Sequence, residues 1–444
     1  MPFRRFFDRG AKEAPTPAAD APTSPAAEAE SDDEAPEQIV DAESDDADWR
    51  TRAEAVLPTG ASTGSKRVEA LYGSADAVGP THFSQAVGAR VVDVDGNEYV
   101  DCTMALGSVA LGYAEPNITR AVVDAIASGN VSALSSYREV ELAERLCGII
   151  PCADRVQFLK TGAEAIAAAV RLARAYTARD MVVGSGYFGW LDWCSEDAAG
   201  VPEGTRRAFT RVPYDDIPAL EAAVISAGPN LAAIVLEPVV ERLPSKEWMA
   251  RARELATSSG AVLIFDEIKT GFRLATGGYQ QYADVTPDLA AFGKAMANGY
   301  PLAAVVGDRD VMDAAKKTWI SSTLASEASA LAAAGAVLNW HNSAEVCESL
   351  WAIGADIRRA IAAAIDASGI EGVSTDGIDP MWMFRWDRPE RERRFLELAA
   401  SNGVLFKRGA YNYPALAHDD DVIREIEAGA SAAFVTLRDE EDTE

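Results

Sequence analysis

Histidine is scarce in this chain: His82, His341 and His418 are the only three in 444 residues. A His-built metal or catalytic centre therefore has little to work with, and no metal is expected. Cysteine is no richer. The five (Cys102, Cys147, Cys152, Cys194, Cys347) are odd in number and scattered, with no CxxC or His/Cys cluster. That argues against structural zinc and still more against a disulfide framework. No apolar run is long enough to span a bilayer, and no secretory h-region stands near the start, so the reading is a cytoplasmic protein without a membrane partner. Positive charge is also short. Lys and Arg number 41 against 69 Asp and Glu, a formal charge of -28. A polyanion would be repelled at long range, which excludes nucleic acid as a partner. The basic residues are mostly Arg, which genome composition or a salt-rich cytoplasm would produce equally.

What is present is an ordinary globular composition, 48% hydrophobic, in a chain too long for one core. Two lobes with appendages are the default. The first stretch, residues 1–46, includes "APTPAADAPTSPAAEAESDDEAPE", which cannot bury enough apolar surface to offset its ordering entropy and reads as a disordered acidic tail. Its opening "MPFRRFFDRG" interleaves Phe with Arg, as a docking peptide or membrane-surface contact would, although a plain disordered start is the simpler reading. Order is expected from near Trp49. "GARVVDVDGNEYVD" (88–101) alternates around Asp95-Gly96, a hairpin signal. The same stretch lacks the glycine and glutamate positions of a calcium loop.

From about 115 to 310 helical patterns alternate with short apolar runs. "DRVQFLK", "MVVGS", "AAIVLEPV", "AVLIFDEI" and "LAAVVGD" read as strands, with helices between them at 163–178 and in "KEWMARARELATSSG". This βαβ periodicity implies a mostly parallel central sheet with helices on both faces, whose ligands sit at the carboxyl ends of the strands. After about residue 335 a smaller α/β lobe follows.

Four features meet at that edge. In "FLKTGAEAIAAAVRLARAY" a strand ends at Lys160 and a long helix begins, so the N–H groups of Thr161, Gly162 and Ala163, with the Thr161 hydroxyl, could face an anion. Many strand-to-helix turns contain glycine and bind nothing. "GSGYFGWLDW" places Tyr187 where a flat ring could be covered, although Tyr187, Phe188 and Trp190 are equally ordinary as core or interface aromatics. Asp266 ends the run "AVLIFD", where a buried carboxylate needs a cation: an Arg, or a protonated ring nitrogen. Lys294 follows "DLAAFG" and could be an imine-forming amine, or a solvated side chain lying along apolar surface. It is not a phosphate-loop lysine, because Asp288 and Ala295 occupy that motif's glycine and Ser/Thr positions. Singly these signals are weak. Together they supply a phosphate cradle, a ring cover, an acid for a pyridinium and an imine lysine, which is what pyridoxal 5'-phosphate requires.

The stretch from about 50 to 435 resembles the class III aminotransferases of pyridoxal-phosphate (PLP) fold type I, in the branch similar to glutamate-1-semialdehyde 2,1-aminomutase. "VVDVDGNEYVDC", "KTGAEA", "AYTARD", "GYFGWLDW", "LEPVV", "LIFDEIKTGFR", "PDLAAFGKAMANGYP" and "STLASEASALAAAG" fall in family order. The resemblance implies Lys294 as Schiff-base lysine and proton carrier, Asp266 on the pyridine nitrogen, Ile268 under the ring and Tyr187 above it. It implies backbone binding of phosphate at Gly162 and Ala163, a supporting role for Glu237, and a homodimer in which Thr323 reaches the partner subunit's cofactor. The layout it implies is a small-lobe segment at 47–110, a large PLP-binding domain at 111–335, a C-terminal small domain at 336–435 and an acidic tail at 436–444.

There are departures. Phe188, grouped here with the cofactor contacts, and Leu191 stand where the family often has histidines, which bears on substrate and reaction outcome. "ANGYPLAAVV" lacks the glycine-rich stretch of true aminomutases. Arg408 could bind a substrate carboxylate, or sit in a surface ion pair. The activity expected is transfer of an amino group from a small-molecule donor to a carbonyl acceptor. The alternatives are an aminomutase, racemase or epimerase of the same family, and a non-catalytic scaffold derived from it.

Overall fold

The computed structural model describes residues 45–197 and 199–443. The first 44 residues, and with them nearly all of the expected tail and its Phe/Arg start, lie outside the described residues.

Among the described residues, thirteen strands form three sheets. In chain order β1 is Phe83–Val87, β2 Arg90–Asp93 and β3 Glu98–Asp101. Next come β4 Arg155–Leu159, β5 Met181–Ser185, β6 Phe209–Arg211 and β7 Leu231–Leu236. They are followed by β8 Val262–Asp266, β9 Leu289–Phe292 and β10 Ala303–Gly307. The last three are β11 Val373–Ile378, β12 Met381–Trp386 and β13 Val404–Leu405. The central sheet has seven strands in the order β4-β10-β9-β8-β7-β5-β6. All its ladders are parallel except the two made by β10, which runs against both β9 and β4. The sheet is therefore mostly parallel, as its sequence pattern predicts, with one reversed strand that the apolar run "LAAVVGD" could not reveal.

Every residue of β7, β8, β9 and β10 is buried. That explains their uninterrupted apolar runs: both faces are covered, so neither can be polar. Leu263 and Phe265 of β8 join Trp248 and Ala252 of the helix Lys246–Ser259 in one cluster. Val262 and Ile264 point the other way, into a cluster with Ile166, Ala169 and Ala173 of the helix Gly162–Thr177. By this period of two, Asp266 ends β8 on the face of the Gly162–Thr177 helix.

A second core gathers the four-stranded sheet β1-β2-β3-β13 against the helices Val346–Ser368, Pro389–Ser401 and Asp420–Glu441. β2 and β3 form the expected hairpin, with Gly96 at φ +84° in its turn. The Asp93 carboxylate accepts from the N–H of Asp95 and Asn97, the Asn97 side-chain amide and the Tyr99 hydroxyl, so it ties the hairpin loop together. β13 pairs parallel with β3, which joins chain near residue 404 to chain near residue 100. Two expected boundaries fall inside helices. Residue 335 lies within Ala328–Ser343, and the stretch set apart from 436 continues the last helix to Glu441, with Leu437 buried. In both places charged or small surface residues had masked an apolar stripe that stays in register. No helix among the described residues is long and apolar enough to cross a membrane.

Candidate active site

Lys294 and Asp266 lie on neighbouring strand ends. Asp266 closes β8, and Lys294 follows β9 after Gly293, opening a short turn over Lys294–Ala297. β8 and β9 are adjacent and parallel, with Asp266 paired to Ala291. Lys294 has φ +47°, a left-handed conformation uncommon for a residue with a Cβ and costly unless the surroundings impose it. A cavity of about 230 Å³ opens at this edge, lined by Gly162, Ile268 and Lys294 together with Ser108, Lys160 and Tyr300. Three of the sequence-selected residues thus meet from three different elements.

Ile268 fills the narrow space between two glycines. A Cβ on Gly162 would stand 3.1 Å from Ile268 Cδ1, so a side chain there would displace Ile268. The following helix starts with a capping box. Thr161 Oγ1 accepts from the Glu164 N–H at 3.2 Å, and the Glu164 carboxylate accepts from the Thr161 N–H at 2.9 Å and its hydroxyl at 3.1 Å. The N–H and hydroxyl of Thr161 are thus engaged by Glu164. The N–H groups of Gly162 and Ala163 have no acceptor among the described residues and remain available at the helix N-terminus.

The electrostatics of the pair are unusual. Asp266 accepts one hydrogen bond, from the Ile268 N–H at 3.0 Å, and has no ion-pair partner among the described residues. Burial, reinforced by the negative charge of Glu237, pushes its carboxyl up to about 8. Lys294 likewise makes no ion pair. Burial, with the positive charge of Lys269 acting in the same direction, lowers its amine to about 8, against the opposing pull of Asp266 and Glu237. The neighbouring Glu267 differs. It points to the opposite face and is fully buried, accepting from the Tyr279 N–H at 2.8 Å and the Gln280 N–H at 3.0 Å as well as the Thr270 hydroxyl. One carboxylate of the Asp-Glu pair is satisfied within the fold; the other is not.

Tyr187 is 68% exposed, and its N–H donates to Glu237 Oε2 at 3.0 Å. Gly186 permits that contact: it has φ +128°, and a Cβ there would come within 2.3 Å of Glu237 Cβ. Phe188 does not share the site. It is 1% exposed and packs on Trp193 and Phe209 at ring separations of 6.0 Å, so the apolar replacement for the family histidine belongs to the core. Leu191 packs partly buried beside the same cluster. Thr323 is exposed in the loop before Ala328–Ser343 and is not among the residues lining the cavity. Arg408 makes no ion pair among the described residues, and its Nε is buried without a hydrogen-bond partner.

Lys269 was not singled out from the sequence. It follows Ile268 in "DEIKTGFR", with 14% of its side chain exposed, and its Nζ stands 2.6 Å from Glu237 Oε1. The same ammonium lies 4.2 Å over the Tyr411 ring. Only the fold brings these partners together. Nothing in the residues beside it marks this lysine out.

The residues present fit pyridoxal phosphate: an unpaired buried carboxylate, an amine held near neutrality, two free N–H groups at a helix start and an exposed aromatic beside them. The family model described as aminotransferase class-III matches residues 73–188 and 205–428. A 3-aminobutyryl-CoA aminotransferase of Cloacimonas acidaminovorans is 39% identical over 252 residues, 55% of this chain and 61% of that protein, so less than two thirds of its length is spanned. A glutamate-1-semialdehyde 2,1-aminomutase of Polynucleobacter asymbioticus is 29% identical over 428 residues, covering 87% of this chain and 97% of the other. Among solved structures, the PLP-bearing FumI protein of Sphingopyxis sp. MTA144 superposes with a TM-score of 0.85 at 27% identity, covering 90% of this chain and 97% of that one.

Proposed function

The chain belongs to the class-III aminotransferases, PLP-dependent enzymes of fold type I, and we propose that it moves an amino group from an amino donor to a carbonyl acceptor with Lys294 and Asp266 as its working pair. One observation carries the residue assignment. Two oppositely ionisable groups on adjacent strand ends both lack an ion-pair partner among the described residues, and both are shifted toward their neutral forms. Such opposed shifts mark functional pairs more often than structural ones.

Pyridoxal phosphate, when bound, supplies an aldehyde for the amino group and a ring that accepts electrons. The chain's residues divide the remaining tasks. The Lys294 amine is unprotonated in a large fraction of molecules near pH 8, which suits it to attack a carbonyl and then to carry a proton between carbon atoms. Asp266 is a neutral acid without a cation beside it; a ring N–H⁺ would restore its charge. Gly162 and Ala163 offer their N–H groups to a phosphate, helped by the helix dipole. Ile268 forms the floor, Tyr187 the cover, and Glu237 holds the Tyr187 backbone.

A homodimer is part of this reading. Val123, Ile126, Val131, Leu134, Tyr137 and Val140 are all exposed on or between the helices Pro116–Ala127 and Tyr137–Ile149. Contiguous exposed apolar residues of this kind favour a protein contact. Trp319 and Leu324 are exposed near Thr323, in keeping with a second subunit covering that loop. A cytoplasmic location accords with five free cysteines, four of them buried.

The isomerase alternative stays open because aminomutases are among the relatives. Mixing the cofactor-loaded protein with an amino donor alone separates the two readings. Stoichiometric release of keto product, with loss of the cofactor's visible absorbance until an acceptor is added, is the result expected of a transaminase. Continuous isomerisation of the donor without an acceptor would replace that reading with the isomerase.

A further inference from the structure

Lys269 is a buried cation that the reaction as described does not use. Holding an ammonium at this depth is costly unless its charge is matched closely. The match here is twofold: Glu237 Oε1 at 2.6 Å and the face of Tyr411 at 4.2 Å. Burial by itself would lower the ammonium's pKa, but the carboxylate of Glu237 opposes it and the net displacement is upward. Lys269 therefore stays charged wherever Lys294 titrates. Glu237, gripped through Oε1, presents Oε2 to the Tyr187 N–H at 3.0 Å. Tyr411 is fixed in turn, its hydroxyl accepting from the Glu241 N–H at 2.7 Å. The clamp thus links the C-terminal segment, the end of β7 and the loop after β5.

We propose that Lys269 is a positioning residue for the amino-transfer site: held between Glu237 and Tyr411, it locks the carboxylate that anchors Tyr187 and supplies a fixed positive charge within reach of Lys294. This rests on Lys294 being the amine that carries the chemistry. The charged groups that act on Lys294 are Lys269, Asp266, Glu237 and Arg273. Two of the four are cations, and Lys269 is the stronger of these. Its removal would leave Asp266 and Glu237 as the strongest charges acting on it, both favouring the protonated amine. Lys294 would then become reactive only at higher pH. A purely structural lysine would change stability without moving that titration.

The test compares Lys269→Met with Lys269→Arg in the full-length protein. In cofactor-stripped protein, labelling of Lys294 by a small aldehyde with borohydride is followed against pH by peptide mass. The loaded protein gives the pH profile of kcat, which reads the amine once substrate has freed it. For Lys269→Met the Lys294 inflection should move up by about one pH unit or more, the size of effect expected from one near charge. Lys269→Arg should restore the wild-type value. An inflection that stays in place in a folded, cofactor-binding Lys269→Met protein overturns the proposal, as does an equal shift in Lys269→Arg. Should Lys269→Met fail to fold, the double variant with Glu237→Gln removes both charges, so that no carboxylate is left at position 237 without its cation. Its inflection should return to within about half a unit of wild type, because the two removals act in opposite directions; a shift as large as that expected for Lys269→Met alone overturns the proposal. Failure of the underlying reading looks different: Lys294 would show no selective labelling in wild type, and Lys294→Ala would retain turnover.

Discussion

Charge is arranged in two opposite ways in this molecule. At the carboxyl edge of the central sheet, Asp266 and Lys294 have no ion-pair partner among the described residues, and both are displaced toward neutrality. At the junction of the helices Pro389–Ser401 and Asp420–Glu441, almost every charge is matched. Arg391 reaches Glu441 at 2.7 Å, Asp387 at 2.9 Å and the Glu371 carbonyl at 2.6 Å; Arg394 reaches Glu440 at 2.7 Å. There the hydrogen bonds to Arg394 hold Glu440 below the usual carboxylate range. The contrast separates charge that ties the fold together from charge held for a ligand. Groups satisfied by the protein have little left to offer a substrate.

Removing the site's amine should break the comparison most sharply. Lys294→Ala should lower kcat/KM by more than about 10³-fold and abolish the cofactor's visible absorbance, with circular dichroism unchanged. Retained turnover would place the chemistry elsewhere.

Next in size is Asp266→Asn, which keeps the shape and removes the charge. Turnover should fall by about 10²–10³-fold. The same variant reports on stability in the cofactor-free protein. With its folded pKa raised from 3.8 to about 8, Asp266 contributes stability that is present in acid and lost as pH rises through that window. Lys294, lowered from 10.5 to about 8, contributes stability that is present above pH 10.5 and lost as pH falls toward 8. Melting temperature should therefore pass through a minimum near pH 8, and Asp266→Asn should flatten the acid limb relative to wild type. Identical melting profiles would show that Asp266 is not strained in the folded chain.

The smallest effects belong to the helix junction. Arg391→Met should cost about 1.5–3 kcal/mol in urea unfolding, because charge-assisted hydrogen bonds are lost from a mostly buried side chain. The cofactor spectrum should not move. Arg424, paired with Asp421 on the exposed surface, should cost no more than about 0.5 kcal/mol on replacement by Ala. A spectral change in either would mean that the two regions are coupled.

How far the sequence could be read follows from where each interaction lies. β8 and the start of the Gly162–Thr177 helix were legible because their signals are local: an apolar run ending in a carboxylate, and a glycine turn entering a helix. The hairpin of β2 and β3 was legible for the same reason. The reversed direction of β10 was not, because a strand buried on both faces has the same composition either way. The three-residue β6 was missed, its "FTR" being too short to show a pattern. Phe188 stands beside Tyr187 in sequence yet faces the core, since successive residues of an extended loop point to opposite sides. Glu164 was not given this role from the sequence, although the box it forms with Thr161 has a recognisable spacing.

Local chain chemistry was enough to specify a buried carboxylate at 266, an amine at 294 and a phosphate-sized gap at a helix start. Each depends on neighbours within a few residues, and the alternation of strands and helices places all three at one edge. Which of those groups would remain unsatisfied depended on distant packing. Lys269 pairs with Glu237 rather than with Asp266, Tyr411 arrives from the far end of the chain, and Glu267 finds its donors at Tyr279 and Gln280. The shifted titrations arise from that burial and pairing, because desolvation is a property of the assembled surroundings and not of any segment alone.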